Sequence, residues 1–331
     1  MSLQLPVIDQ HPYPAEDIPG LQQEIRELAR KGNAIILAHN YQRSEVQDVA
    51  DFVGDSLGLA RRAANVEEEV IVFCGVHFMA ETAKVLSPGK TVLLPDLEAG
   101  CSLADTITAE EVRGWRREFP DYVAVGYVNT TAAVKAELDY CCTSGNVLDV
   151  IDAIPADKGI LFLPDMFLGA HVRRMRPERK VEVWMGECHV HAGIDVESLQ
   201  AARDANPRSE VLVHPECGCA SRLLYRMADG DLPPEGIHIA STEGMINLTR
   251  TLDADTFIVA TETGIIHRMR QAAPGKRFVP ADRAAECAYM KTITLLDVRD
   301  SLRLSQHRIE VPLEIRERAL GAIERMVSLG A

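Results

Sequence analysis

The stretch Val181–His191 reads VEVWMGECHVH: an apolar run that ends in a Gly-Glu-Cys turn. The same pattern occurs twice more. Thr91–Cys101 reads TVLLPDLEAGC and Arg277–Cys287 reads RFVPADRAAEC, each a short apolar run leading into a loop with one cysteine. Cys101 and Cys188 lie 87 residues apart, and Cys188 and Cys287 lie 99 apart. Lone cysteines at near-equal spacing predict a chain built in thirds, each third giving one thiol to a shared centre.

Outward from these stretches, each third shows four short β-rich runs with polar residues at their C-terminal ends. The first runs are Ala34–Gln42, Val123–Thr131 and Val211–Cys219, whose polar ends are His39, Tyr127 and His214. The second runs, DFVGDSLGL, DYCCTSGNV and HIASTEGMI, place Ser56, Ser144 and Ser241 at matching positions. The third runs are VIVFCGVHF, GILFLPDMF and TFIVATETG, and the fourth carry the three cysteines. Segments of helical period lie between them, including Leu21–Arg30, Ser56–Ala64, Met79–Leu86, Ala109–Glu118 and Ile194–Ala205. Strands alternating with helices predict right-handed βαβ units and parallel sheets.

The expected fold is therefore α/β: three similar three-layer αβα domains with parallel sheets arranged around a pseudo-threefold axis. Residues 1–20 read as a proline-rich arm, 21–118, 119–207 and 208–300 as the three domains, and 301–331 as a C-terminal segment. Its stretch Pro312–Leu329 has the period of a closing amphipathic helix. About ten extra residues in the last third are expected near the Asp229–Gly236 turn. Ligands of such sheets bind outside the carboxyl ends of the strands, so the strand-end residues of all three domains are expected to face one central cavity.

Composition narrows the function. The chain has 331 residues and a formal net charge of −14, with no Lys/Arg cluster larger than a pair. That excludes a nucleic-acid backbone as partner. No apolar run approaches the ~18 residues of a membrane span, and the N-terminus has no signal-peptide pattern. A cytoplasmic location is expected, with the eight cysteines reduced and serving a metal or catalysis rather than a disulfide framework.

Structural zinc sites draw on close cysteine pairs. Cys101, Cys188 and Cys287 are isolated, and three thiolates from three domains suit an iron–sulfur cube. The alternative is three buried, inert thiols. Three protein ligands for four irons leave one iron open, a Lewis acid for a substrate hydroxyl or carboxylate. Cys74, Cys141 and Cys142 sit in apolar runs and read as small buried side chains. Cys217 and Cys219, just past His214-Pro215-Glu216, form either a cavity-lining pair or buried packing. His189 and His191 flank Cys188 as metal ligands or as outer support.

At Gly54-Asp55-Ser56, Thr143-Ser144-Gly145 and Ser241-Thr242-Glu243-Gly244 a hydroxyl stands where a helix begins. Such a hydroxyl caps the helix, and the N–H groups there also hold carboxylate or phosphate. Three converging sites imply a small anionic substrate. His39, Tyr41, Tyr127, Asn129, His214 and Glu216 complete a set suited to acid–base work.

Several longer motifs resemble the quinolinate synthase A family of de novo NAD synthesis. They are AHNYQ at 38–42, QDVADFVGDS at 47–56, GVHFMAETAKVLSP at 75–88, YVNTTAAVKA at 127–136, HPEC at 214–217, STEGM at 241–245 and ATETGIIHRM at 260–269. The resemblance runs from about Ile35 to Leu295. It implies three αβα domains around a cavity and a [4Fe–4S] cluster on Cys101, Cys188 and Cys287. It implies condensation of iminoaspartate, supplied by L-aspartate oxidase in possible transient contact, with dihydroxyacetone phosphate to give quinolinate, phosphate and water. It places substrate binding at His39, Ser56, Tyr127, Val128 (through its backbone), Asn129, Ser144, His214, Pro215, Glu216 and Thr242. It makes Tyr41 catalytic, with Glu216 and His214 moving protons. Cys287 is followed by Ala288, Tyr289 and Met290, so the CxxC redox switch of some members is expected to be absent. Cys217/Cys219 is not shared by all members. Two rivals remain: an iron–sulfur hydro-lyase of a small hydroxy acid, which needs no phosphate site, and a non-enzymatic iron–sulfur sensor, which needs a basic surface.

Overall fold

A computed structural model describes residues 5–10, 12–220, 222–223 and 235–330. The twelve predicted runs form twelve strands: β1 Ala34–His39, β2 Phe52–Gly54, β3 Val70–Cys74, β4 Thr91–Leu93, β5 Val123–Tyr127, β6 Tyr140–Cys142, β7 Ile160–Leu163, β8 Val181–Val183, β9 Glu210–Val213, β10 Ile237–Ile239, β11 Thr256–Ala260 and β12 Arg277–Pro280. They make three four-stranded sheets of one design, β2-β1-β3-β4, β6-β5-β7-β8 and β10-β9-β11-β12, all parallel. Within each unit the first strand of the sequence is central and pairs with the second and third. The chain is thus an α/β protein of three similar αβα units, each sheet flanked by helices.

The inner strands are apolar along their length because helices cover both faces, as parallel sheets require. Ile35–Ala38, Ile71–Cys74, Ile160–Leu163 and Phe257–Ala260 are all buried. In the inner strands polar residues stand only at the ends, and the carboxyl ends of all three sheets face one cavity.

Most helices fall where the hydrophobic period put them, with differences at the ends. The first runs Ile18–Lys31, starting before Leu21 with Pro19 in its opening turn, where a missing N–H costs nothing. The expected Ile194–Ala205 helix forms as Val196–Ala205, and a separate short helix, His189–Gly193, precedes it. Asp195 accepts Ser198 N–H at 2.5 Å and opens Val196–Ala205. The hydroxyl-cap expectation holds in one unit only. Ser241 caps its helix through Gly244 N–H at 3.3 Å. In the first unit Asp55 does so through Gly58 N–H at 2.8 Å. In the second, Asn146 Oδ1 ties back to Thr143 N–H at 2.8 Å instead. Ser56 and Ser144 are thereby free of capping. The extra residues expected at Asp229–Gly236 lie mostly outside the described residues.

The tail forms the expected helix, Leu313–Ser328, which lies across helices of the first unit and against β6 and its neighbouring helix in the second. Ala319, Ala322, Ile323 and Met326 form its buried stripe. Its final carbonyls are satisfied from both units. Arg61 Nε donates to Val327 O at 2.9 Å, and Asn146 Nδ2 donates to Met326 O and Leu329 O at 2.9 Å each. Replacing the fully buried Ile323 with Ala removes three carbons from this seam and is expected to cost about 2–5 kcal/mol. A lowered urea midpoint checks this, and an unchanged midpoint would show that the helix is dispensable.

Candidate active site

The first strand of each unit delivers an equivalent residue. His39 ends β1, Tyr127 ends β5, and His214 directly follows β9, its N–H held by Ala260 O at 3.1 Å. All three line one cavity of about 60 Å³. The second strands bring Ser56, Ser144 and Thr242 to it, and the fourth strands bring Cys101, Cys188 and Cys287. Tyr41, Asn129 and Glu216, in the loops just past the first strands, complete the predicted lining. Val128 and Pro215 do not line it: Val128 is 1 % exposed, and its backbone serves Cys142 O and Thr130 N–H instead.

At the centre lies the carboxylate of Glu216, 2 % exposed. Tyr127 donates its O–H to Glu216 Oε1. His191 Nδ1 is 3.3 Å from Oε2, and His214 Nδ1 is 3.7 Å from Oε1. Burial alone would raise the Glu216 pKa, but His214, His191 and the Tyr127 O–H outweigh it and hold the group at about 2. His191 is the counterpart. Burial pushes it down, yet Cys188 and Glu216 lift it to about 10. Desolvation dominates for His39 and His214 and lowers them to about 3 and about 4. Glu216 and His191 thus form an ion pair, with neutral His39 and His214 beside it.

A hydroxyl relay adjoins this pair. Tyr41 Oη is 2.6 Å from Thr261 Oγ1, and Thr261 Oγ1 is 2.8 Å from His191 Nε2. Burial keeps the Tyr41 phenol protonated. On the other side Ser144 Oγ is 3.1 Å from His214 Nε2. Asn129 Oδ1 is buried with no protein partner, a costly arrangement unless a ligand serves it.

Burial raises the Cys101 and Cys287 thiols to about 12 and about 11, against backbone N–H groups that favour the thiolate: those of Leu103 and Ala104 at Cys101, and of Tyr289 and Met290 at Cys287. Cys188 leans on His191. Cys188, His191 and Glu216 bring their donor atoms within 4.8 Å of one another and could hold a metal ion.

The five remaining cysteines lie away from the cavity. Cys74, Cys141 and Cys142 are fully buried, as expected. The expectation that all eight are reduced is corrected at one place: Cys217 and Cys219 form a disulfide in the core beneath the Glu216 loop. One residue between them lets the turn bring both sulfurs to the same side. That core position also excludes the pair from the cavity lining.

The sequence reading named nothing from the third strands, yet β11 leads into Thr261 and Glu262. Glu262 lines the cavity, as do Asp55, Ser102 and Thr143. In the sequence the polar strand-end TETG, within the motif at 260–269, is the signal by which Thr261 and Glu262 could be found. His191, weighed as metal ligand or outer support, is a direct partner of Glu216.

The chain matches the family model described as quinolinate synthetase A protein over residues 23–328. A quinolinate synthase of Thermus thermophilus is 54 % identical over 310 residues, covering 94 % of this chain and 97 % of that protein. One of Mycobacterium sp. strain KMS is 52 % identical over 307 residues, 93 % of this chain and 91 % of its own length. One of Mycobacterium leprae is 50 % identical over 307 residues, covering 93 % and 87 %.

The charge assignment is open to nuclear magnetic resonance of the metal-free protein. As pH falls from about 8, the imidazoles of His39 and His214 are expected to stay neutral well below the ordinary value of about 6.5. His191 is expected to keep its proton until pH rises toward about 10. A His191 that titrates near the ordinary histidine value would remove the ion pair.

Proposed function

The chain belongs to the quinolinate synthetase A family, and from that membership we propose that it condenses iminoaspartate with dihydroxyacetone phosphate on a [4Fe–4S] cluster. Atom balance gives quinolinate, phosphate and two waters. The reading places the chain in NAD biosynthesis, with L-aspartate oxidase as the transient source of the imine. The observation that carries it is the arrival of three cysteines, one from each repeated unit, on the cavity that also holds Glu216.

The residues fit such a cluster. Cys101, Cys188 and Cys287 would hold it, with the N–H groups beside Cys101 and Cys287 supporting bound thiolates as outer-shell donors do. When bound, it supplies an open iron able to polarise a substrate oxygen. The remaining chemistry belongs to side chains. Glu216 and His214 would move protons, His214 through Ser144, whose Oγ is 3.1 Å from His214 Nε2. Tyr127 and Tyr41 are O–H donors in a site that keeps both phenols protonated. Ser56, Ser144, Thr242, His39 and Asn129 would hold phosphate and carboxylate oxygens.

A second reading is a single metal ion on Cys188, His191 and Glu216, favoured by the closeness of their donor atoms. The two separate cleanly. On the cluster reading, anaerobically purified protein contains iron and sulfide. Ser in place of Cys101, Cys188 or Cys287 abolishes the cluster and quinolinate formation, while Cys74→Ser leaves both. A sulfide-free metal site that survives Cys101→Ser and Cys287→Ser decides for the second reading.

Glu216→Gln is nearly isosteric and should leave the cluster spectrum unchanged. A general acid or base contributes typically about 10²–10⁴-fold to rate, so turnover should fall by that order. Turnover within about threefold of the parent would exclude Glu216 as the essential proton carrier and favour His214 or Tyr41.

A further inference from the structure

Glu262 is the second carboxylate at the cavity with a buried partner. Its side chain is 1 % exposed, and that of Lys291, whose Nζ is 2.9 Å from Glu262 Oε1, is 9 % exposed. Glu262 Oε1 also accepts Cys287 N–H at 3.2 Å, and Oε2 accepts Gly264 N–H at 2.7 Å. Lys291 Nζ donates to Tyr41 O and, at 3.5 Å, to Gln42 O. Lys291 O accepts from Arg43 Nε at 2.8 Å. A chain of charge-assisted bonds therefore runs from the backbone of Cys287 in the third unit to the backbone of Tyr41 in the first. A buried ion pair adds little net stability, because desolvation offsets its attraction. Here it grips the main chain of two residues whose side chains line the same cavity and leaves those side chains free.

We propose that Glu262 and Lys291 are a positioning pair that fixes the Cys287 loop against the Tyr41 loop, setting the third cluster sulfur and the tyrosine hydroxyl across one cavity. The proposal rests on Cys287 as cluster ligand and Tyr41 as catalytic. A carboxylate suits the place because both of its oxygens accept. Glutamine has one acceptor and leaves either an N–H or the Lys291 ammonium poorly served. Gly264 gives a second handle. An added Cβ there would lie 2.6 Å from Lys291 Nζ, 2.8 Å from Glu262 Oε2 and 2.9 Å from Tyr41 O. Its φ of −59° accepts alanine, so Gly264→Ala wedges the pair apart while every charge remains.

The test compares Glu262→Gln and Gly264→Ala with Ile323→Val, which loosens the chain in the C-terminal helix away from the pair. The first readout is iodoacetamide alkylation of Cys287 relative to Cys101 in the full-length metal-free protein, measured by peptide mass spectrometry. The second is the rate of iron loss to a chelator after anaerobic reconstitution with iron and sulfide. The Cys287/Cys101 ratio is expected to rise in both variants, with iron lost about tenfold faster and far-ultraviolet circular dichroism unchanged. Ile323→Val should move neither. A parental alkylation ratio in Gly264→Ala overturns the proposal, as does an equal rise in Ile323→Val. If Glu262→Gln does not fold, Gly264→Ala decides by the same ratio. If the parent takes up no cluster, the functional reading fails while the alkylation ratio still judges the positioning pair.

Discussion

A full negative charge buried at the meeting point of three sheets is the constraint around which the site is arranged. An unpaired carboxylate in that position would carry a desolvation cost large enough to neutralise it. Glu216 stays ionised because partners from the neighbouring unit reach it: Tyr127 from the end of β5 and His191 from the short helix that follows β8. The contacts from Tyr127 and His191 form only when the sheets stand with their carboxyl edges together. The fold delivers the partners, and the charge in turn favours the one arrangement in which they meet.

Repetition explains why so much of this was legible. A parallel sheet covered by helices must be apolar inside and polar where strands stop, so His39, Tyr127 and His214 stand out of their runs even before any fold is known. Spacing then showed the threefold plan. What stayed hidden followed from contacts between units. His191 looks like a neighbour of Cys188 in the chain, and only the docking of two units puts it on Glu216. Val128 and Pro215 were named through family resemblance, and neither lines the cavity. Asp55 displaced Ser56 as helix cap, although the two adjoin, because the carboxylate reaches Gly58 N–H from the residue before the helix. The Cys217–Cys219 bond was missed because cysteine counting weighs compartments, whereas a tight turn buried in an apolar core sets the sulfurs side by side locally.

The polarity of the cavity follows from the same pairing. A chain with a net charge of −14 that is proposed to hold phosphate and carboxylates would be expected to line its site with cations. Among the described residues, no Lys or Arg lines the cavity, and three carboxyl groups do: Asp55, Glu216 and Glu262. Each is offset. Burial, the largest influence on Asp55, raises its pKa toward the neutral acid. Glu216 faces His191, and Glu262 faces Lys291. Near-neutral walls leave anion binding to hydroxyls, amides, neutral imidazoles and helix N–H groups. Such donors orient an anion without the strong attraction of a fixed cation in a low-dielectric site. For the proposed condensation, which would expel phosphate, that matters: a wall of arginines would hold the departing anion as firmly as the substrate, and uniform binding of that kind does not speed turnover. Pairing Glu216 and Glu262 with internal cations would let an acidic protein accept the proposed anionic substrates and release an anionic product from the same cavity.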